Sequence, residues 1–185
     1  MRGMELHQIN LSYVPVQDRL LMRISTRDQT EFRLWFTRRL TQRLWPSLFK
    51  LLETHETVST QATADAKRAV LEFRHEHAMQ QVSFGSEFAG TDLKPALEGE
   101  PMLVQTVEMK RSGEQHYLMK FLPPQGSGIQ VQFQEAIVHG LAKLIADALK
   151  RSDWGLQLQL PGTQPGLAAG AEPAPAAQVA PRTLN

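Results

Sequence analysis

The sequence predicts an α+β fold built from a βββα unit that occurs twice, its antiparallel strands covered by helices, with a disordered tail behind. Three observations lead there. Segments of strict apolar/polar alternation come in threes, and each set runs into a stretch of helical period. The two sets superpose without a gap at an offset of 97 residues, 18–52 onto 115–149. From Pro161 the chain is rich in Ala, Pro and Gly and has no periodicity. Such a segment buries too little apolar surface to offset its ordering entropy. The expected boundaries are 1–57 for the first unit, 58–101 for a helix and an irregular connection, 102–160 for the second unit and 161–185 for the tail.

In the first unit, "LHQINLSYV" puts Ile9, Leu11 and Tyr13 on one face. "PVQD" is a turn. "RLLMRIS" then aims Leu20, Met22 and Ile24 inward and Arg23 outward. After the turn "TRDQT", "EFRLWF" sends Phe32, Leu34 and Phe36 one way and Arg33 and Trp35 the other. At Thr37, a good N-cap residue, the period becomes helical. Leu40, Leu44, Leu48, Leu51 and Leu52 form one stripe. Pro46 interrupts it and predicts a kink or a fresh helix start.

Residues 61–81 are rich in helix formers and predict a helix. Residues 84–101 carry Gly85, Gly90, Pro95, Gly99 and Pro101 and predict a long irregular connection. The second unit follows the plan of the first. "LVQTVEMK" and "HYLMKFL" are strands, the latter with Tyr117, Met119 and Phe121 on one face. "PPQGSG" is a hairpin turn, and "IQVQF" aligns Ile129, Val131 and Phe133. A helix with Ile137, Leu141, Leu144, Ile145 and Leu149 on its apolar side closes the unit.

The composition narrows function by exclusion. The chain has no cysteine, so thiolate metal sites, disulfides and a cysteine nucleophile are out. No apolar run approaches a membrane span and no signal peptide is legible, which predicts a cytoplasmic protein. Net charge is +1 overall, but +5 in residues 1–50 and −4 in the rest. A basic N-terminal part suits phosphate or an acidic partner, although a charged stretch is more often a solvated face. No glycine-rich phosphate loop or nucleophile elbow is present. In "RHEHAM", His75 and His77 point about 200° apart on a helix and cannot share a metal. His139, in "IVHGLAKL", reads as a core-edge histidine. No acid–base pair emerges, so no enzyme, metal or cofactor is expected.

The outer sheet face is the richer candidate. Arg23, Arg33, Trp35 and Lys120 lie on it with Gln130 and Gln132, and Arg38, Arg39 and Arg43 crowd the strand-to-helix junction. Cations interleaved with an indole suit single-stranded nucleic acid, the ring stacking on a base. Leu21, Leu118 and Trp35 together instead suit a protein partner, a dimer contact or cover by the middle helix. A repeated strands-then-helix plan resembles, in topology, the Whirly and Pur-alpha nucleic-acid binders, which use four strands per repeat where this chain has three. The run "RLWFTRR" resembles a strand-to-helix junction shared by a group of uncharacterised bacterial proteins. That resemblance implies a bacterial origin and brings no activity or site. The sequence reading is therefore a non-enzymatic binding protein that contacts another protein or itself as a homo-oligomer. Single-stranded nucleic acid is the alternative partner.

Overall fold

The alternating segments are strands. A computed structural model describes residues 6–83, 88, 93–156 and 158–160, and the predicted tail lies outside them. Strands β1 (Leu6–Val14), β2 (Arg19–Thr26) and β3 (Thr30–Phe36) form an antiparallel meander. Leu20 faces Phe36, Met22 faces Leu34 and Ile24 faces Phe32, and all six are buried. The β1–β2 turn ends at Asp18, whose φ of 47° is a left-handed conformation that Asp tolerates better than most residues. Its carboxylate accepts hydrogen bonds from the Tyr13 hydroxyl (2.9 Å) and the Trp154 indole (2.5 Å), which ties residue 154 back to the first hairpin.

Helix α1 (Arg38–Glu53) starts where the period changes, and the Leu40 amide donates to the Thr37 hydroxyl (3.2 Å). It runs through Pro46 as one helix of 16 residues, not as two pieces. Pro46 sits on the exposed side, so the donor it cannot offer to the Gln42 carbonyl is missing where water can replace it. A single turn, α2 (Glu56–Ser59), was not legible in the sequence. Helix α3 (Ala64–Gln81) matches the predicted one, with Thr63 as its cap.

Two short pieces of the chain after α3 join the first sheet, one inside the predicted connection and one just beyond it. Strands β4 (Lys94–Pro95) and β5 (Met102–Leu103) pair in parallel with β3. Backbone hydrogen bonds hold them: Lys94 N–H to Gln29 C=O (2.8 Å), Ala96 N–H to Glu31 C=O (2.8 Å) and Val104 N–H to Trp35 C=O (3.0 Å). Pro95 is tolerated because β4 is an edge.

Strands β6 (Thr106–Arg111), β7 (His116–Leu122) and β8 (Ile129–Gln134) make a second antiparallel sheet, followed by α4 (Glu135–Leu149). Among the described residues there are thus two sheets, and β4 and β5 occupy the edge of β3 away from β2. Gly128, just before β8, is required by close approach: a Cβ there would lie 2.3 Å from the Phe121 carbonyl oxygen. The two hairpins share one register. Leu20 pairs with Phe36 as Tyr117 pairs with Phe133, each residue meeting its counterpart 97 positions on.

The inner faces of both sheets and the apolar sides of α1 and α4 share one core. Phe36 meets Phe121 at 6.0 Å between ring centroids, and Phe121 meets Phe133 edge-on at 6.4 Å. The helices cross over between the sets: α1 lies against β6, and α4 lies against β1. Among the described residues no helix is long and apolar enough to cross a membrane.

Candidate functional site

The outer face of the first sheet is not the open surface that the alternation suggests. Trp35 is only 8% exposed. Its neighbours within the sheet are Leu21 on β2 and Leu103 on β5. The indole is unavailable for base stacking. Arg33 donates to the Gly99 carbonyl (2.6 Å), clasping the connection between β4 and β5. Arg23 donates to Glu31 (2.5 Å) and its guanidinium sits 4.3 Å from the centre of the Phe88 ring. Arg38, Arg39 and Arg43 are exposed on the first turns of α1. Lys120 lies on the other sheet, 3.9 Å from Glu108. The predicted set is therefore divided. Arg23, Arg33 and Trp35 share one covered face, the three α1 arginines form a basic helix end, and Lys120 belongs to a different surface.

That different surface is open. Among the described residues nothing covers the outer face of β6–β8, where Glu108, Lys110, Leu118, Lys120 and Gln130 line a shallow depression of about 280 Å³. The face mixes charge, amides and the half-buried Leu118.

The most organised polar cluster lies inside, where α2, α3 and α4 meet. Glu135, the first residue of α4, is buried. Arg74 of α3 grips it with two prongs, Nε to Oε1 at 2.7 Å and Nη2 to Oε2. Arg74 also donates to the Thr57 hydroxyl (3.2 Å), which contacts His55 Nδ1 (3.0 Å). His55 Nε2 lies 3.9 Å from Glu135, and His139 Nε2 lies 3.7 Å from it, too long for a hydrogen bond. On its other side, His139 Nδ1 meets Nδ1 of His75 at 3.1 Å. Among the described residues His139 Nε2 and the Tyr117 hydroxyl have no hydrogen-bond partner, and both side chains are fully buried.

Two opposed effects set the charge of Glu135. Burial pushes its carboxyl pKa up, but His139 and Arg74 pull it down further, to about 2. Burial disfavours charge on the neighbours as well. It drives His75 down to about 4, helped by His139 and Lys143, and Tyr117 up to about 12, helped by Glu135. His55 is lowered, again chiefly by burial. The cluster is thus an ionised Glu–Arg pair beside His75 and Tyr117, whose charged forms burial disfavours. Among the described residues no group of three or more His, Asp or Glu side chains could hold a metal ion.

Sequence reasoning separated His75 from His77 correctly, since one is buried and the other exposed. It missed that His75 meets His139, 64 residues away. A usable signal was there: Leu71, His75 and Ala78 fall on one helical stripe, and His139 interrupts the apolar side of α4. Comparison of the chain with protein families, with characterised proteins and with solved structures gave no match.

Proposed function

We propose that this is a non-enzymatic, cytoplasmic binding protein that works by contact with another protein or with a second copy of itself. The observation that carries this reading is the contrast between the sheets. On the first outer face Trp35 is buried and Arg33 is bound to the Gly99 carbonyl of the chain's own connection, whereas the second, with Leu118 at its centre, is uncovered among the described residues. A sheet face with an apolar centre and a polar rim suits a protein contact. The polar cluster around Glu135 supports a structural role, because His139 and Tyr117 are sealed from any substrate. We also propose that the two βββα sets, alike in order and hairpin register, descend from one duplicated unit.

The second reading, single-stranded nucleic acid, rests on the exposed Arg38, Arg39 and Arg43. It loses its stacking platform with Trp35, so binding would be a phosphate contact. Sedimentation of the wild type and Leu118→Asp, with and without an oligonucleotide, tests both. Self-association that Leu118→Asp abolishes supports the first reading. Oligonucleotide binding that falls with salt and disappears in Arg39→Ala/Arg43→Ala supports the second. A wild type that stays monomeric, captures no protein from bacterial extract and ignores the oligonucleotide overturns both.

A further inference from the structure

Helix α3 is held unlike the other long helices. Over 18 residues it buries only Leu71, His75 and Ala78, while the 15 residues of α4 bury ten. A helix with so little apolar anchoring opens locally at low cost. Its polar attachments run to α4, Arg74 to Glu135 and His75 to His139, and to α2, Arg74 to Thr57. We propose that α3 is an acid-released latch, held on α4 at neutral pH by the contact of an uncharged His75 with His139 and let go when His75 takes up a proton.

The geometry supplies the reason. Two Nδ1 atoms 3.1 Å apart share one hydrogen, one ring donating and the other accepting. A doubly protonated pair would place two N–H groups and two positive charges face to face inside the protein. The charged and titratable groups around the pair do not cancel this. Arg74 on α3 and Lys143 on α4 are cations, and Arg111 of β6 is a third, beyond His55 and Tyr117. The nearby anions are already engaged or lie farther out: the Arg74 fork holds both oxygens of Glu135, Asp147 pairs with Lys143 at 2.6 Å, and Glu56 acts on His55. His55, at the cap of α2, is itself resistant to protonation.

The sign follows from linkage. His75 titrates near 4 when docked and at the ordinary 6.5 when released. The released state therefore binds more protons between those values, and docking weakens as pH falls through 6.5 towards 4. Between pH 7.5 and pH 5 the opening equilibrium should rise roughly 30-fold. Release has a defined consequence. The end of α3, with Gln81, Val82 and Ser83, is one wall of a cavity of about 380 Å³ whose floor is Ile137, Leu141 and Leu144 of α4 and Ile9 of β1. Undocking α3 would open that apolar groove. The latch is independent of the partner proposed above.

Hydrogen exchange of the full chain across pH 7.5 to 5, corrected for intrinsic rates, tests it. Amides of α3 should lose protection roughly 30-fold while those of β2, β3, β7 and β8 keep theirs. His75→Gln can still donate to His139 but does not titrate, so its α3 amides should change by less than about threefold, the residue left by the other histidines. Loss of protection in α3 and the strands together, or an unchanged α3 in the wild type, overturns the latch. So does a His75→Gln protein that responds like the wild type. Should His75→Gln fail to fold, imidazole NMR titration of the wild type decides: a His75 ring titrating at its ordinary value with α3 still protected rules the proposal out.

Discussion

The two βββα sets share strand order and hairpin register, and they differ on the outside. Behind α1 the chain returns along β3 and hydrogen-bonds to it in parallel, and the outer-face Trp35 there is buried. Nothing described does the same for β8, and the position 97 residues beyond Trp35 is the exposed Gln132. The helices diverge too. Glu135 opens α4 buried in a polar cluster, while its counterpart on α1 is the solvent-exposed Arg38. One backbone plan thus carries two surface programmes. The inward residues are interchangeable in kind because they solve the same packing problem, and the outward residues are not.

The inner-face equivalence is the easiest part to break. Phe36 and Phe133 are both fully buried, and alanine at either should cost about 3–5 kcal/mol in chemical denaturation. A difference above about 2 kcal/mol between the two would show that the sites are not equivalent. The outer-face contrast comes next. Trp35→Ala should cost about 3 kcal/mol, while Gln132→Ala should stay within about 0.5 kcal/mol. Equal effects would mean that the second face is covered as well.

The polar cluster gives the third test. The Glu135 carboxyl sits at about 2, against 4.5 when unfolded, so it stabilises above pH 4.5 and that support drains away as pH falls towards 2. The drain should amount to about 3 kcal/mol in the wild type. It should be missing from the acid limb of the Glu135→Gln stability curve. Arg38→Ala, at the matching place on α1, should change stability by less than about 0.5 kcal/mol at any pH.

Most of the strands and both long covering helices were legible because alternation and helical period are written in side chains. The cover over Trp35 was not. Strands β4 and β5 are two residues each and are joined to β3 by backbone groups, which leave no trace in side-chain pattern. Leu21 and Trp35 on the outer face signalled that something apolar lay above them, but not what. The His75–His139 contact escaped for another reason: each residue reads locally as a polar interruption, and only the docking of α3 on α4 joins them. Arg38, Arg39 and Arg43 are exposed at the strand-to-helix junction, while Arg23 and Arg33 turned out to contact the connection.

A further test concerns Tyr117. Its buried hydroxyl has no hydrogen-bond partner among the described residues, so Tyr117→Phe should be neutral or stabilising, within about 1 kcal/mol. Burial holds the phenol near 12, above its ordinary 10. The wild type should therefore lose stability as pH rises from 10 towards 12, and the Phe variant should not. A loss above about 1 kcal/mol at neutral pH would reveal a partner for the hydroxyl, such as a buried water.

The crossing of helices between the sets has a consequence for synthesis. Strand β1 leaves the ribosome first, yet the helix that covers it, α4, is made more than a hundred residues later. At translation speeds of about 5–20 residues per second, the first meander waits on the order of 10 s with its inner face unroofed. Nascent chains stalled before residue 135 should therefore expose an apolar sheet and bind chaperones. Release of the full length should end that exposure in one late step, when α4 closes over strands that have been waiting since the start.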